Sequence, residues 1–348
     1  MTAAPATVDD APTAVRAAAR RRRAAWLVVA SVAVVLATAA SLALGARTIA
    51  PGEVLAALVD PRDGVTDHTV VTSLRVPRTL IGLLAGAAFA VAGALMQGLT
   101  RNPLADPGLL GVNAGASLAV VCAVTLLGVA TPTGYVWFAL GGAALAAAVV
   151  QAIGGRHGGT PTALALAGAA MTAGLTSVIT VIVVRDVEAF DAYRFWVVGS
   201  LATRGAAVLA ALWPFLLLGA LAAAAATRVL DVLALGDDTA RGLGQHVGAG
   251  RGLVLAAVVL LAGSATALAG PIVFIGLVVP HLVRRLADGS HAWLVALAAP
   301  VGAALLLAAD VVGRLVVRPG ELEAGLVVAF LGAPAMIVLV QRARMVRL

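Results

Sequence analysis

The chain has 348 residues, of which 61% are hydrophobic and only 12% charged, with a net charge of +7. A soluble domain is about half apolar and a quarter charged, so this composition leaves too few polar groups for a water-facing surface, and it excludes disorder. All 24 basic residues are arginine, which removes P-loop phosphate binding and lysine Schiff-base chemistry.

Residues 1–25 are rich in Ala, Pro and Thr and end in Arg20, Arg21, Arg22 and Arg23. They read as a disordered basic tail. Trp26–Gly45 follows without a charge and is long enough to cross about 30 Å as a helix. A cleaved signal ending near Ala43–Ala46 is the minor alternative, because a secretory apolar core runs about 7–15 residues. Further apolar runs fall at Leu80–Leu99, Leu109–Val129, Val136–Ile153, Thr162–Val184, Ala206–Thr227, Gly252–Ala269, Gly270–Val283, Ala292–Ala309 and Ala324–Val340. The first run makes ten. The eighth is short, set off by Gly270-Pro271 before it and Arg284-Arg285 after it.

Arginine placement gives the orientation. With the N-terminus in the cytoplasm and strict alternation, fifteen arginines lie inside. Nine lie outside: Arg47, Arg62, Arg75, Arg78, Arg185, Arg194, Arg204, Arg314 and Arg318. That bias favours ten spans with both termini inside. The expected organisation is a tail at 1–25, one all-α ten-helix membrane domain at 26–342, and a cytoplasmic tail at 343–348. The arginines flank apolar runs, so the lipid bilayer explains the high pI and no nucleic-acid partner is expected. Cys122 stands alone and forms no internal disulfide.

The spans are rich in Gly and Ala, which lets helix backbones approach closely. Leu84–Gly93 (LAGAAFAVAG) resembles Leu261–Gly270 (LAGSATALAG). The two would run in opposite directions, as inverted transporter repeats do, though chance similarity is as good an account in so alanine-rich a chain.

Ion-coupled carriers keep an ionisable group near mid-bilayer. None is evident here. Asp310 falls just past the ninth run with Arg314 four residues on, and the pair reads as snorkelling at the outer interface. His68, His157, His246, His281 and His291 are scattered, with no haem pair, no HExxH and no metal-ligand spacing. No catalytic residue, metal or cofactor is expected. A solute moved by this chain either flows downhill or is driven by another subunit.

Two connections stand out. Arg101–Gly115 (RNPLADPGLLGVNAG) carries two prolines and three glycines that break helix. Irregular backbone at membrane depth survives only inside protein or beside a cavity, so it reads as a re-entrant turn bordering a solute path. Arg228–Arg251 (RVLDVLALGDDTARGLGQHVGAGR) has apolar anchors at Leu230, Leu233, Leu235 and Leu243. Asp237 and Asp238 suit the first turn of a short helix. Two short helices outside the bilayer are expected, either a mere connector or a knob for a partner protein. Asp231, Asp237 and Asp238 give it an acidic spot on a basic side.

At this point the sequence resembles a known family. Arg75–Ser117 (RVPRTLIGLLAGAAFAVAGALMQGLTRNPLADPGLLGVNAGAS), Gly263–Leu286, Ala308–Arg342, Arg194–Leu201 and Leu233–Gly244 resemble, in order, the iron-siderophore and vitamin B12 class of ABC importer permeases. Within the class, RNPLADPGLLGVNAGAS and VVRPGEL look most like ferric-enterobactin-type permeases. The resemblance implies a type II, ten-helix permease. Its partners would be a second permease copy or paralogue, two ATP-binding subunits and an extracytoplasmic siderophore-binding protein. It carries the family's coupling loop onto Asp231, Leu235, Gly236, Asp237, Asp238, Ala240, Arg241 and Gly244. It carries docking arginines, which meet acidic groups of the binding protein, onto Arg75, Arg78 and Arg314. The path and re-entrant segment fall at Met96, Gln97, Asn102, Pro103 and Asn113, with Thr172 and Thr176 on the fifth helix. The fifth and tenth helices would line the pore. The expected function is ATP-driven import of ferric siderophore, catecholate-like by preference. The rivals are cobalamin or haem import within the family, a stand-alone secondary carrier, and an intramembrane protease.

Overall fold

Long runs of Ala, Leu and Val leave the backbone no polar side chains to bond with, so in a bilayer each run must close its own hydrogen bonds as helix. The computed structural model of the chain describes residues 10–129, 131–156, 161–202, 205–318 and 320–345. His157, Arg204 and Arg347, and the tail residues 1–9 and 346–348, lie outside the described residues. Among the described residues there is no strand.

The helices are α1 (Asp10–Ala43), α2 (Pro51–Val59), α3 (Thr66–Thr69), α4 (Val76–Thr100), α5 (Val112–Leu127), α6 (Pro132–Arg156) and α7 (Pro161–Arg185). They continue with α8 (Val187–Val197), α9 (Ala206–Leu233), α10 (Asp237–Gly242), α11 (Val247–Ala269), α12 (Ile275–Ala287), α13 (His291–Val316) and α14 (Ala324–Met345). Among the described residues, seven helical stretches are long and apolar enough to cross a membrane. α5 and the apolar part of α14 are shorter, and α12 has only 13 residues.

α4 and α11 form the centre, with 78% and 72% of their most apolar windows buried. α9, α12 and α13 wrap α4 and α11, and α5, α6 and α7 form a second group beside them. α1 and α7 lie outermost, with 17% of their windows buried. The centre is held by small residues. A Cβ at Gly93 of α4 would lie 1.9 Å from the carbonyl oxygen of Gly276 in α12. The two backbones therefore touch, and only glycine fits there.

Several expectations change. The basic run Arg20–Arg23 is not set apart from the first span, because α1 is helical from Asp10 onward. The eighth apolar run is only partly helical. Gly270 (φ +77°) and Phe274 (φ +72°) bracket a non-helical stretch, and helix begins at Ile275. α13 does not end before Asp310 but continues to Val316. The 228–251 connection holds one short helix, α10, rather than two, since α9 extends to Leu233 and α11 starts at Val247.

The Arg101–Gly115 stretch is irregular, as its prolines require. Arg101 (φ 51°) ends α4 in a left-handed cap, and Pro107–Leu110 makes one 3₁₀ turn. The Asp106 carboxylate caps that turn, accepting the Gly108 N–H at 2.7 Å. Lost hydration pushes the Asp106 carboxyl above its ordinary range, opposed by that N–H. Pro107 and Asp106 pack against Gly276, so the interruption after α4 and the one before α12 meet.

Candidate functional site

Two polar clusters lie at opposite ends of the bundle. The first is built around α10. Gly236 (φ +104°) turns the chain out of α9, and α10 follows at once. Asp237 does not cap the helix. Its carboxylate accepts from Arg101 at 3.2 Å and from Arg251 at 2.8 Å. Arg101 also donates to the carbonyl of Leu233. Asp237 is thus a staple joining three segments: the turn after α4, the end of α9 and the start of α11. Asp238 is fully exposed and pairs only with Arg241 at 2.7 Å, three residues on. Asp231 holds His291 through both its backbone N–H (3.0 Å) and its ring Nδ1 (2.7 Å).

The apolar anchors divide. Leu230, Leu233 and Ala240 are buried, while Leu235 and Leu243 are 62% and 65% exposed. Gly244 (φ +80°) closes the turn. The result is a knob fastened underneath by ion pairs, with two leucines turned outward.

α1 is fastened at this same end. Arg22 and Arg23 pair with Asp288 at 3.4 and 3.2 Å, and Arg23 lies over the Trp293 ring.

The second cluster joins the C-terminal end of α1 to the start of α4 and the end of α13. A π-helical turn, Val70–Arg75, runs directly into α4 and brings Arg75 and Arg78, three residues apart, to this end of the bundle. Arg75 is 5% exposed and donates to the carbonyls of Leu42 (2.6 Å), Ala43 (2.8 Å) and Arg47 (2.5 Å). Arg314 is 2% exposed and donates to the carbonyls of Ser41 (3.0 Å) and Leu44 (2.9 Å). Arg318 takes the Gly45 carbonyl at 2.7 Å. The last carbonyls of a helix have no partner within it and carry its negative dipole end. Arg75 and Arg314 supply what the end of α1 lacks, and Arg318 fastens the turn just after it.

Asp310 is fully buried beneath them. It accepts from Arg78 through Nε (3.0 and 3.1 Å) and Nη2 (2.8 Å) and pairs with Arg314 at 2.9 Å. The snorkelling reading of Asp310 and Arg314 is therefore corrected. The pair exists at the expected spacing, but it faces protein because Arg78 from α4 covers it. Of the three arginines expected to dock a partner, Arg75 and Arg314 are turned inward. Only Arg78 extends a nitrogen outward, donating Nη1 to Glu321 Oε2 at 2.7 Å.

The expected path residues do not form one surface. Met96 and Gln97 are buried. Gln97 donates to the carbonyls of Gly276 (3.3 Å) and Leu277 (3.2 Å) and accepts from Arg284 at 2.5 Å. Asn102 and Pro103 are exposed, and Asn102 Oδ1 accepts the Leu104 N–H at 2.9 Å. Asn113 is half-buried and accepts from Thr266 at 3.0 Å. Thr172 and Thr176 are exposed on the outer face of α7, beside Ser177 and Thr180. Glu321, Asp288 and Ser41 carry parts of these clusters that sequence reasoning missed. Glu321 lies within the VVRPGEL stretch that the sequence marks out, but nothing in that stretch points to Arg78. Among the described residues, no group of acidic, His or Cys side chains is arranged to hold a metal.

The FecCD transport family matches residues 33–342. The chain belongs to the FecCD transport family. This FecCD chain is 45% identical over 311 residues to the ferric enterobactin transport system permease protein FepD of Escherichia coli (strain K12), covering 88% of this chain and 92% of that protein. It is 37% identical over 271 residues to the cobalamin import system permease protein BtuC of Halobacterium salinarum, covering 77% and 72%. Its fold matches a solved metal-chelate type ABC transporter in an inward-facing conformation, with a TM-score of 0.79, 25% identity, and coverage of 91% of this chain and 98% of that one. The FecCD chain is a multi-pass permease of the cytoplasmic membrane and is not itself an enzyme.

Proposed function

We propose that this chain is the membrane-spanning permease subunit of an ATP-driven importer of ferric siderophore, with a catecholate, enterobactin-like chelate as its cargo. The observation that carries the reading is the 45% identity to the ferric enterobactin permease, sustained over 88% of the chain. The cobalamin permease among its relatives supports vitamin B12 as the second reading.

In this reading the ten spans are α1, α4, α5, α6, α7, α9, α11, α12, α13 and α14, with both termini in the cytoplasm. Residues 26–342 make the permease domain, and 1–25 and 343–348 flank it. The arginine bias supports that orientation. It puts the α10 knob in the cytoplasm, where Leu235 and Leu243 seat in an ATP-binding subunit. Two permeases, identical or paralogous, enclose the pore between them, each contributing the Thr172 and Thr176 face of α7 and the face of α14. Small hydroxyls and apolar groups let a bulky chelate pass without trapping it. ATP binding draws the two nucleotide-binding subunits together. Because the knobs are fastened to α4, α9 and α11 through Asp237, the permease halves rock as bodies and the pore changes the side it faces. A siderophore-binding protein docks at the opposite end, with Arg78 receiving an acidic group. Arg75 and Arg314 hold the frame behind it.

Uptake of radiolabelled iron by iron-starved cells, with and without this gene, tests the cargo. Selective loss of the catecholate signal supports the reading, and loss of labelled cobalamin alone moves it to the second. Replacing Gly236–Gly244 by a flexible linker should abolish uptake and leave membrane insertion intact. Unchanged uptake in that variant removes the coupling role.

A further inference from the structure

Arg78 is held in an unusual way for a side chain near a surface. Its Nε and Nη2 are fixed from below by Asp310, which is fully buried. That leaves Nη1 as the nitrogen facing out, and it is not free. Glu321 Oε2 accepts from it at 2.7 Å. Glu321 sits in the non-helical stretch before α14, with its side chain 31% exposed, while the Arg78 side chain is 11% exposed. The two carboxylates on Arg78 therefore differ in kind. Asp310 is a fixed part of the interior, shared with Arg314. Glu321 is at the surface, where its side chain can turn away from Arg78 while Leu322 beside it stays bonded to the Gly313 carbonyl.

The charges make this exchange feasible. Arg75, Arg78, Arg314 and Arg318 gather around Asp310 and Glu321, so positive side chains outnumber negative ones there even with Glu321 in place. An incoming carboxylate that replaces Glu321 on Nη1 leaves the number of hydrogen bonds unchanged. The guanidinium is already oriented and largely dehydrated, so little ordering cost remains.

We infer that Glu321 is a built-in competitor for the docking nitrogen of Arg78, displaced when an acidic group of the soluble binding protein engages the permease. The inference rests on the docking role proposed above for Arg78. Glu321 keeps Arg78 partnered between deliveries. It also lowers the apparent affinity by the fraction of time it occupies the site, which favours release of the binding protein once its cargo is gone.

The test uses the complete transporter, permeases and ATP-binding subunits together, in nanodiscs. The probe is the purified siderophore-binding protein that supports uptake in the same cells. Its dissociation constant is measured at low and at high salt. The Arg78–Glu321 pair sits at the rim of the cluster, within reach of screening ions, so Glu321→Gln should tighten binding by up to about fivefold at low salt, with less gain at high salt. Arg78→Gln should weaken binding, and adding Glu321→Gln to it should give no further change. Glu323→Gln removes the same charge two residues away without touching Arg78, and it should leave affinity unchanged. Weaker or unchanged binding in Glu321→Gln, or an equal gain in Glu323→Gln, overturns the competitor. If Arg78→Gln still weakens binding in that case, the docking reading survives alone. Unchanged binding in Arg78→Gln overturns both.

Discussion

Arg78 and Asp310 are joined by three hydrogen bonds of 2.8, 3.0 and 3.1 Å although 232 residues separate them in the chain. Asp310 also neutralises Arg314, so one buried carboxylate serves two arginines. Breaking a buried pair costs far more than the pair contributes, because the remaining charge is stranded. Asp310→Ala should lower stability by about 3–5 kcal/mol, read as a large fall in folded yield in detergent and in thermal midpoint. Changing Asp310 to Leu together with Arg314 to Met should recover part of that loss. No recovery would mean that Arg314 contributes through its bonds to the α1 carbonyls rather than through Asp310.

Asp237 offers the opposite case. Its partners Arg101 and Arg251 are partly exposed, and exposed pairs contribute about 0.2–1 kcal/mol. Asp237→Ala should barely change stability. It should nonetheless uncouple the α10 knob from α4 and α11. The expected result is normal assembly with the ATP-binding subunits and a marked loss of cargo-stimulated ATP hydrolysis.

Leu235 and Leu243 should behave as interface anchors. Changing either to Ser leaves the permease folded, since both project from its surface. Loss of a buried anchor at an interface costs about 1–2 kcal/mol or more, so copurification of the ATP-binding subunit should fall roughly tenfold. Retention of the complex by the double variant would return the loop to a connector.

Gly93 tests the central packing. A methyl group there meets the Gly276 carbonyl at 1.9 Å, and backbone, unlike a side chain, cannot turn away. Gly93→Ala should cost at least about 1–3 kcal/mol and Gly93→Val should prevent folding, both seen as lost expression. Gly141, whose Cβ position has nothing within 4 Å, should accept Ala without effect.

The hydrophobic runs were legible because composition alone decides them, and each of the ten contains described helix. Their ends were less legible. Asp310 closes an apolar window, so the sequence places a span end before it. The helix runs on because Arg78 arrives to pair that charge, a contact no local window contains. The same reason separates Arg75 and Arg314 from Arg78. All three look like surface arginines in sequence, and only the position of the α1 carbonyls turns two of them inward. Asp237 and Asp238 have the spacing of helix-capping acids, yet Arg101 and Arg251, from distant segments, claim Asp237 instead. The Val70–Arg75 π-turn and α8 carry no periodic signal strong enough to read.

The fastening of α1 bears on how the protein is made. Its final partners are Asp288 at one end and Arg314 at the other, the latter 273 residues downstream of Ser41. At ribosomal speeds of 5–20 residues per second, that interval is about 14–55 s. Over that interval α1 is tied at its C-terminal end by Arg75, just ahead of α4, while its N-terminal end waits for Asp288. Arg314 of α13 then closes the C-terminal end behind it. Arg314 thus secures a helix made long before it.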